Sequence, residues 1–439
     1  MKNIILTACL ATFTVSNVFA QTKKWSLDEC IQYAIENNIE IKRSNNRVKT
    51  LRVQRNTLKS QYLPQIQAGA SQKFDYGRAL NQDNMYENSN IKSTAFSINA
   101  ELSLFSGFKT SASIAQNKYD LLAAEADKEE IANNLSLNVA AAYFQVLLSM
   151  EIHKIAEAQV TLTKEQIVKT ELLIENGKVP RSHLYEVKAQ LADDELAVTE
   201  AENKLQMATL ELKQLMELEE DGNIELEGIV DEVSAIGTIN PIHIYNAAEC
   251  CMPQIRKANY TLESKAKSIK IAQANYYPTV NLGAGISTGY YDSGMGIGES
   301  FRNQINQNMQ KSIYVSISIP LFDRFNTRNQ VKTARIEKEQ ARLSLDEEKK
   351  KLYKEINKAY TDVLAAYEKY QSTCKSVSAN KEAYRFALEK YEAGKSTVFE
   401  FNEMKMKMAD AQSKQSQAKY TYLLKGRILN FYACHALMN

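Results

Sequence analysis

Between Ser97 and Leu104 polar and apolar side chains alternate, with Ser97, Asn99, Glu101 and Ser103 set against Ile98, Ala100, Leu102 and Leu104. A period of two predicts a strand with one apolar and one polar face. The period then changes. From Phe108 to Asn176 no glycine or proline interrupts the chain, and Leu135, Val139, Tyr143, Val146 and Met150 recur at steps of three and four. That spacing predicts a helix with an apolar seam. At 1.5 Å per residue, about 70 residues extend roughly 100 Å. Gly177 follows, where a glycine ends a helix best.

The succession returns 217 residues later, when Leu321-Phe322 repeats Leu104-Phe105 and "EAGK" at Glu392 repeats "ENGK" at Glu175. Upstream the offset is 214, with "YLP" at Tyr62 answered by "YYP" at Tyr276. Two structural repeats follow. Repeat 1 spans 21–240, with strands at about 65–76 and 94–104, a long helix at about 106–176, a return helix at about 182–216 and a linker at 217–240. Repeat 2 spans 241–439, with strands at about 279–291 and 312–321, a long helix at about 324–393 and a return helix at about 399–432. A polar helix ends near Tyr62, ahead of Pro64, and its counterpart runs from Pro253 to Tyr276. The fold class is mixed and mainly α, with long antiparallel coiled-coil helices and four strands per chain.

Ile66, Ala68, Ala70, Phe74 and Tyr76 share one strand face, and Gln65, Gln67, Gly69, Ser71, Lys73 and Asp75 the other. The second repeat matches them with Val280, Leu282, Ala284 and Ile286, then Ile313, Val315, Ile317 and Ile319. Strands of about 11 or 12 residues can cross a bilayer at a tilt. Four of them cannot close, and an open edge is not tolerated in lipid. Two chains would supply eight strands, whose interior side chains fill, and three chains twelve, around a water-filled lumen. The competing reading is a half-buried sheet in a soluble protein.

Charge adds little, since 54 basic and 52 acidic side chains nearly cancel and give no handle for nucleic acid. The N-terminus reads as a signal peptide over 1–20, with Lys2, an apolar core from Ile4 to Val15 and a cleavage site at Val18-Phe19-Ala20. A lipidated Cys9 is the alternative. No later stretch is read as reaching the ~18 apolar residues that a spanning helix needs. Cys30, Cys250, Cys251, Cys374 and Cys434 are odd in number and follow no framework. They are read as packing or incidental thiols, a bridge from Cys30 to Cys250 or Cys251 being conceivable.

Both Leu-Phe…Phe strand-to-helix junctions, the "YLP" and "YYP" strand entries, the duplicated order and the Gly-Lys tips carry a resemblance. From about Trp25 to Tyr432 the chain resembles the TolC-like outer-membrane efflux protein family. The resemblance implies a homotrimer forming a 12-stranded transmembrane β-barrel on a periplasmic α-helical barrel. It also implies outer-membrane lipid around the barrel, a periplasmic adaptor (membrane fusion) protein and a proton-driven or ATP-driven inner-membrane pump. Position by position it places Glu400 and Glu403 in a ring at the periplasmic constriction. It makes Tyr391 and Ser182 a gate-closing contact, while Ser396 and His183 stand where a second, arginine–aspartate lock would be. Gly177, Lys178, Val179, Gly394, Lys395 and Val398 become adaptor-docking tips. As plain sequence, the glutamates also suit a helix start and the glycines a helix stop.

Enzyme chemistry finds no footing. None of His153, His183, His243 and His435 has a second histidine or a cysteine at i+3 or i+4, and no phosphate loop or nucleophile elbow is present. No cofactor or metal is expected. In "MKMKM" at Met404, Met404 and Met406 fall on different helix sides and only Met404 and Met408 share one, so they read as packing. The expected function is a passive exit duct for small molecules, powered by its partners. Type I protein secretion and a soluble periplasmic scaffold remain as alternatives.

Overall fold

The computed structural model describes residues 24–80, 85–219, 224–228, 240–292 and 299–433. The signal segment, Cys9 and Cys434 lie outside them. Repeat 1 contains β1 (Lys24–Trp25), α1 (Leu27–Asn37), α2 (Ile39–Ser60), β2 (Gln65–Leu80), β3 (Tyr86–Ser106), α3 (Lys109–Glu175) and α4 (Ser182–Met216). After β4 (Glu225–Leu226), repeat 2 contains α5 (Pro241–Cys251), α6 (Pro253–Ala274), β5 (Thr279–Asp292), α7 (Phe301–Gln307), β6 (Gln310–Ser318), α8 (Asn326–Glu392) and α9 (Val398–Tyr432). Both long helices have 67 residues and both return helices 35.

Several bounds differ from those the pattern predicts. The polar helix before each hairpin is two helices, broken at Asn38 and at Met252. Asn38 caps the new start through its side chain, and Pro253 opens the other, where a missing N–H costs nothing. The β2–β3 hairpin is taller than predicted, reaching the pair Leu80↔Tyr86. β6 stops at Ser318, two residues before Pro320, which has no N–H for a ladder. Between β5 and β6 the structure adds a short helix, α7, where the pattern predicts only a loop.

One sheet takes the order β2-β3-β5-β6, antiparallel throughout. The register aligns Ile66, Ala100, Ala284 and Ile313 across one face, and Gln65, Glu101, Gly283 and Tyr314 across the other. On the apolar face Ile66 is 67% and Ile313 81% exposed, so no described residue covers them. A β-carbon at Gly283 would come within 2.2 Å of Tyr314 Cζ, so glycine lets the Tyr314 ring lie across β5.

Each strand turns into its helix through two successive left-handed residues, Gly107-Phe108 and Arg324-Phe325. The repeated phenylalanines explain the motif. Phe105 meets Phe108 edge-on at 5.2 Å, and Phe322 meets Phe325 at 5.4 Å. Gly107 is doubly required, because a β-carbon there would lie 2.4 Å from the Ala274 carbonyl. In the second junction Asp323 caps instead, accepting from the Thr327 N–H at 2.7 Å.

α3 is the spine, packed against α1, α2, α4, α6 and α9. It also corrects the sequence reading, for it holds an 18-residue window of mean hydropathy 1.4, apolar enough to cross a membrane. More than half of that window is buried, and the helix middle from Leu135 to Leu147 packs with Ile31, Leu212 and Met216. A helix enclosed on several sides is apolar on several sides. Tyr143 Oη lies 3.1 Å from the Trp25 carbonyl and 2.6 Å from that of Glu227, joining β1 and β4 to the spine. Burial, then the Cys30 and Glu227 charges, raise its pKa.

The cysteine reading is also corrected. Cys251 is disulfide-bonded, whereas Cys30, Cys250 and Cys374 form no disulfide, so no bridge joins Cys30 to Cys250 or Cys251.

Candidate functional site

The two helix turns at the far end from the sheet come together. Val187, Ala387, Tyr391, Val398 and Phe401 form a small core there, with Ile167, Tyr384, Leu388 and Met404 around it. Both turns begin alike. Gly177 and Gly394 take φ of 69° and 71°. Lys178 donates to the Leu173 carbonyl and Lys395 to that of Lys390, each at 2.9 Å, satisfying carbonyls that would otherwise be unpaired.

Gly177, Lys178, Gly394 and Lys395 are exposed and Val179 is half-buried. Val398 is 1% exposed, packed with Tyr391 and Phe401, so it supports the tip from within rather than presenting itself to a partner. Glu400 is exposed at the start of α9, closing a capping box with Thr397. Its carboxylate accepts from the Ser396 hydroxyl at 2.6 Å and the Thr397 N–H at 3.3 Å. These bonds, the hydroxyl's first, hold it below the usual carboxylate range. Glu403, one turn on, pairs with Lys407 at 2.6 Å.

Tyr391 and Ser182 are not brought together. Ser182 is exposed, while Tyr391 is 3% exposed, stacks on Phe401 at 5.0 Å and shares a 2.9 Å hydrogen bond with Thr170. The hydroxyl reaches α3 and not the start of α4, because the stack turns the ring into the tip core. Ser396 serves Glu400, and the buried His183 Nδ1 has no hydrogen-bond partner among the described residues.

Sequence reasoning missed the polar ladder above this core. Lys405 on α9 is 2% exposed and pairs with Asp194 on α4 at 2.7 Å. Thr163 on α3 donates to Asp194 and contacts Lys405, and Gln190 adds a 2.9 Å bond to Asp194. One turn toward the tip, Gln166 donates to Asn402 at 3.3 Å. The signal was available: Thr163, Gln166 and Thr170 step by three and four, and so do Val398, Asn402 and Lys405. A lysine at a seam position needs a buried carboxylate opposite.

Beside this geometry stand the comparisons with known proteins. The family model described as outer membrane efflux protein matches residues 30–217 and 244–429, one match per repeat. The chain belongs to the outer membrane efflux protein family. It is 24% identical over 385 residues to outer membrane protein TolC of Escherichia coli (strain K12), covering 84% of this chain and 74% of TolC. Its fold is similar to that of CusC, with a TM-score of 0.77 at 16% identity over 93% of this chain and 91% of CusC. VceC of Vibrio cholerae gives 0.75 at 18% identity over 94% and 96%.

Proposed function

We propose that three copies of this chain form the outer-membrane exit duct of an efflux system, closing twelve strands into a barrel continuous with a helical tunnel. The observation that carries the proposal is the four-stranded sheet. Among the described residues it exposes one mostly apolar face, interrupted by Gln72, Lys92, Thr94 and Lys311, keeps a polar face opposite, and leaves β2 and β6 as unpaired edges. Lipid satisfies the first, a water-filled lumen the second, and neighbouring copies the third. The helices then extend roughly 100 Å into the periplasm. No group in the duct powers transport. An inner-membrane pump, engaged through a periplasmic adaptor, supplies the energy and selects small molecules as cargo. The exposed Gly177-Lys178 and Gly394-Lys395 turns are where the adaptor docks, and Glu400 and Glu403 ring the periplasmic mouth.

The test is the mass of the detergent-extracted particle, corrected for bound detergent. Three chains per particle, recovered from the outer-membrane fraction, are expected. A monomer or dimer that stays in solution without detergent would replace the duct with a periplasmic scaffold.

A further inference from the structure

We infer that Glu101 sets the ion preference of the sheet-walled part of the duct, an inference resting on the trimeric reading above. The polar face is nearly bare of charge. From Gln65 to Asp75, Ser93 to Ser103, Thr279 to Tyr291 and Gln310 to Ser318, its positions are mostly serine, glycine, glutamine and asparagine. Three carry charge: Lys73, Asp75 and Glu101. Lys73 and Asp75 pair with each other at 2.9 Å and cancel.

Glu101 is exposed, and no hydrogen bond or ion pair to its carboxylate forms among the described residues. Lys73 lies level with Ser93, eight residues along β3 from Glu101. At about 3.4 Å per residue that is roughly 27 Å, several times the ~8 Å screening length at physiological salt. Its charge is therefore uncompensated.

Its level in the sheet strengthens the effect. Glu101 faces Gln65, the first residue of β2, and Gly283 on the other side, over which the Tyr314 ring lies. The sheet thus carries its free carboxylate beside one of its bulkiest polar-face side chains, at the end nearest the helices. Three copies place three carboxylates around the passage from tunnel to barrel, enriching cations and cationic solutes. The carboxylates at the helix tips are less free, since Glu403 pairs with Lys407 and Glu400 is committed to its capping box.

The test is the reversal potential of assembled channels in a planar bilayer under a KCl gradient at low salt. The wild type is expected to prefer cations. Glu101→Gln is expected to lower the cation-over-anion permeability ratio by about twofold or more, and Glu101→Lys to reverse the preference. Glu400→Gln with Glu403→Gln is expected to change it less. An unchanged ratio in both Glu101 variants, at wild-type conductance, overturns the inference. Failure of the trimeric reading is separately visible as a wild type that gives neither three-chain particles nor conductance steps. If Glu101→Gln and Glu101→Lys do not assemble, Glu101→Cys is compared before and after labelling with a negatively charged thiol reagent, with wild-type protein as the labelling control. Restored cation preference supports the inference, and no change overturns it.

Discussion

The two tips share a sequence motif and a stop, but not a start. Both long helices end through the same glycine-centred bonds, with Gly177 and Gly394 in open space. The next helices differ. α9 begins with a capping box of Thr397 and Glu400, whereas α4 begins at Arg181 with no side-chain cap. Behind the second tip Tyr391 is buried and stacked, while its counterpart at the 217-residue offset, Ile174, is only half-buried. A helix stop needs one residue able to take positive φ, and duplication preserves it easily. A helix start depends on several side chains, each of which can be lost. The first tip is therefore the looser one.

The strongest challenge to this comparison is to uncouple the tips from the ladder that joins them. Lys405→Met leaves Asp194 buried without its cation and is expected to cost about 3–5 kcal/mol, with faster hydrogen exchange at both tips. Adding Asp194→Leu should recover most of that loss. Changing the shared feature should erase no difference. Gly177→Ala and Gly394→Ala are each expected to cost about 1–2 kcal/mol, equally at the two turns, since only the backbone conformation is strained. Thermal melts of the extracted protein would read both sets. Removing the feature that differs should erase part of the contrast: Thr397→Ala is expected to cost about 1 kcal/mol and to bring exchange at the start of α9 toward that at the start of α4. The smallest effect is that of pH. Because Glu400 is held below its usual range, its contribution is present at neutral pH and lost as pH falls through the depressed value. Exchange over 398–402 should therefore rise on acidification below about pH 4, with no matching change at the start of α4.

What the sequence made legible follows the range of the interactions involved. The alternation at Ser97–Leu104, the seam from Leu135 to Met150 and the glycines at 177 and 394 all report local geometry, and each is visible in a window of sixteen residues or fewer. The glutamate at 400 was readable both as a helix-start residue and as part of a ring; the capping box shows the first in one chain. The Lys405–Asp194–Thr163 cluster joins residues 31 and 211 apart, and no local pattern says which seams face one another. Tyr391 shows the same limit, since its partner Thr170 is 221 residues away and was chosen by how the ring stacks. The breaks at Asn38 and Met252 were missed for the opposite reason. Each is a one-residue interruption between two stretches of sound helical pattern.

Beyond the end of β6, α7 takes over the edge of β5. The Gln304 amide exchanges two 3.0 Å bonds with the backbone of Tyr291, and Asn308 donates to the Gly289 carbonyl at 2.8 Å. A side chain there impersonates a strand, and the upper rim of β5 is sealed against recruitment by another chain. Lateral growth of the sheet must then pass through the nine residues of β6, against sixteen on β2. In the proposed trimer the joint between copies would be a half-height zip, stitched near the helices and left as a notch along the outer rim of β2.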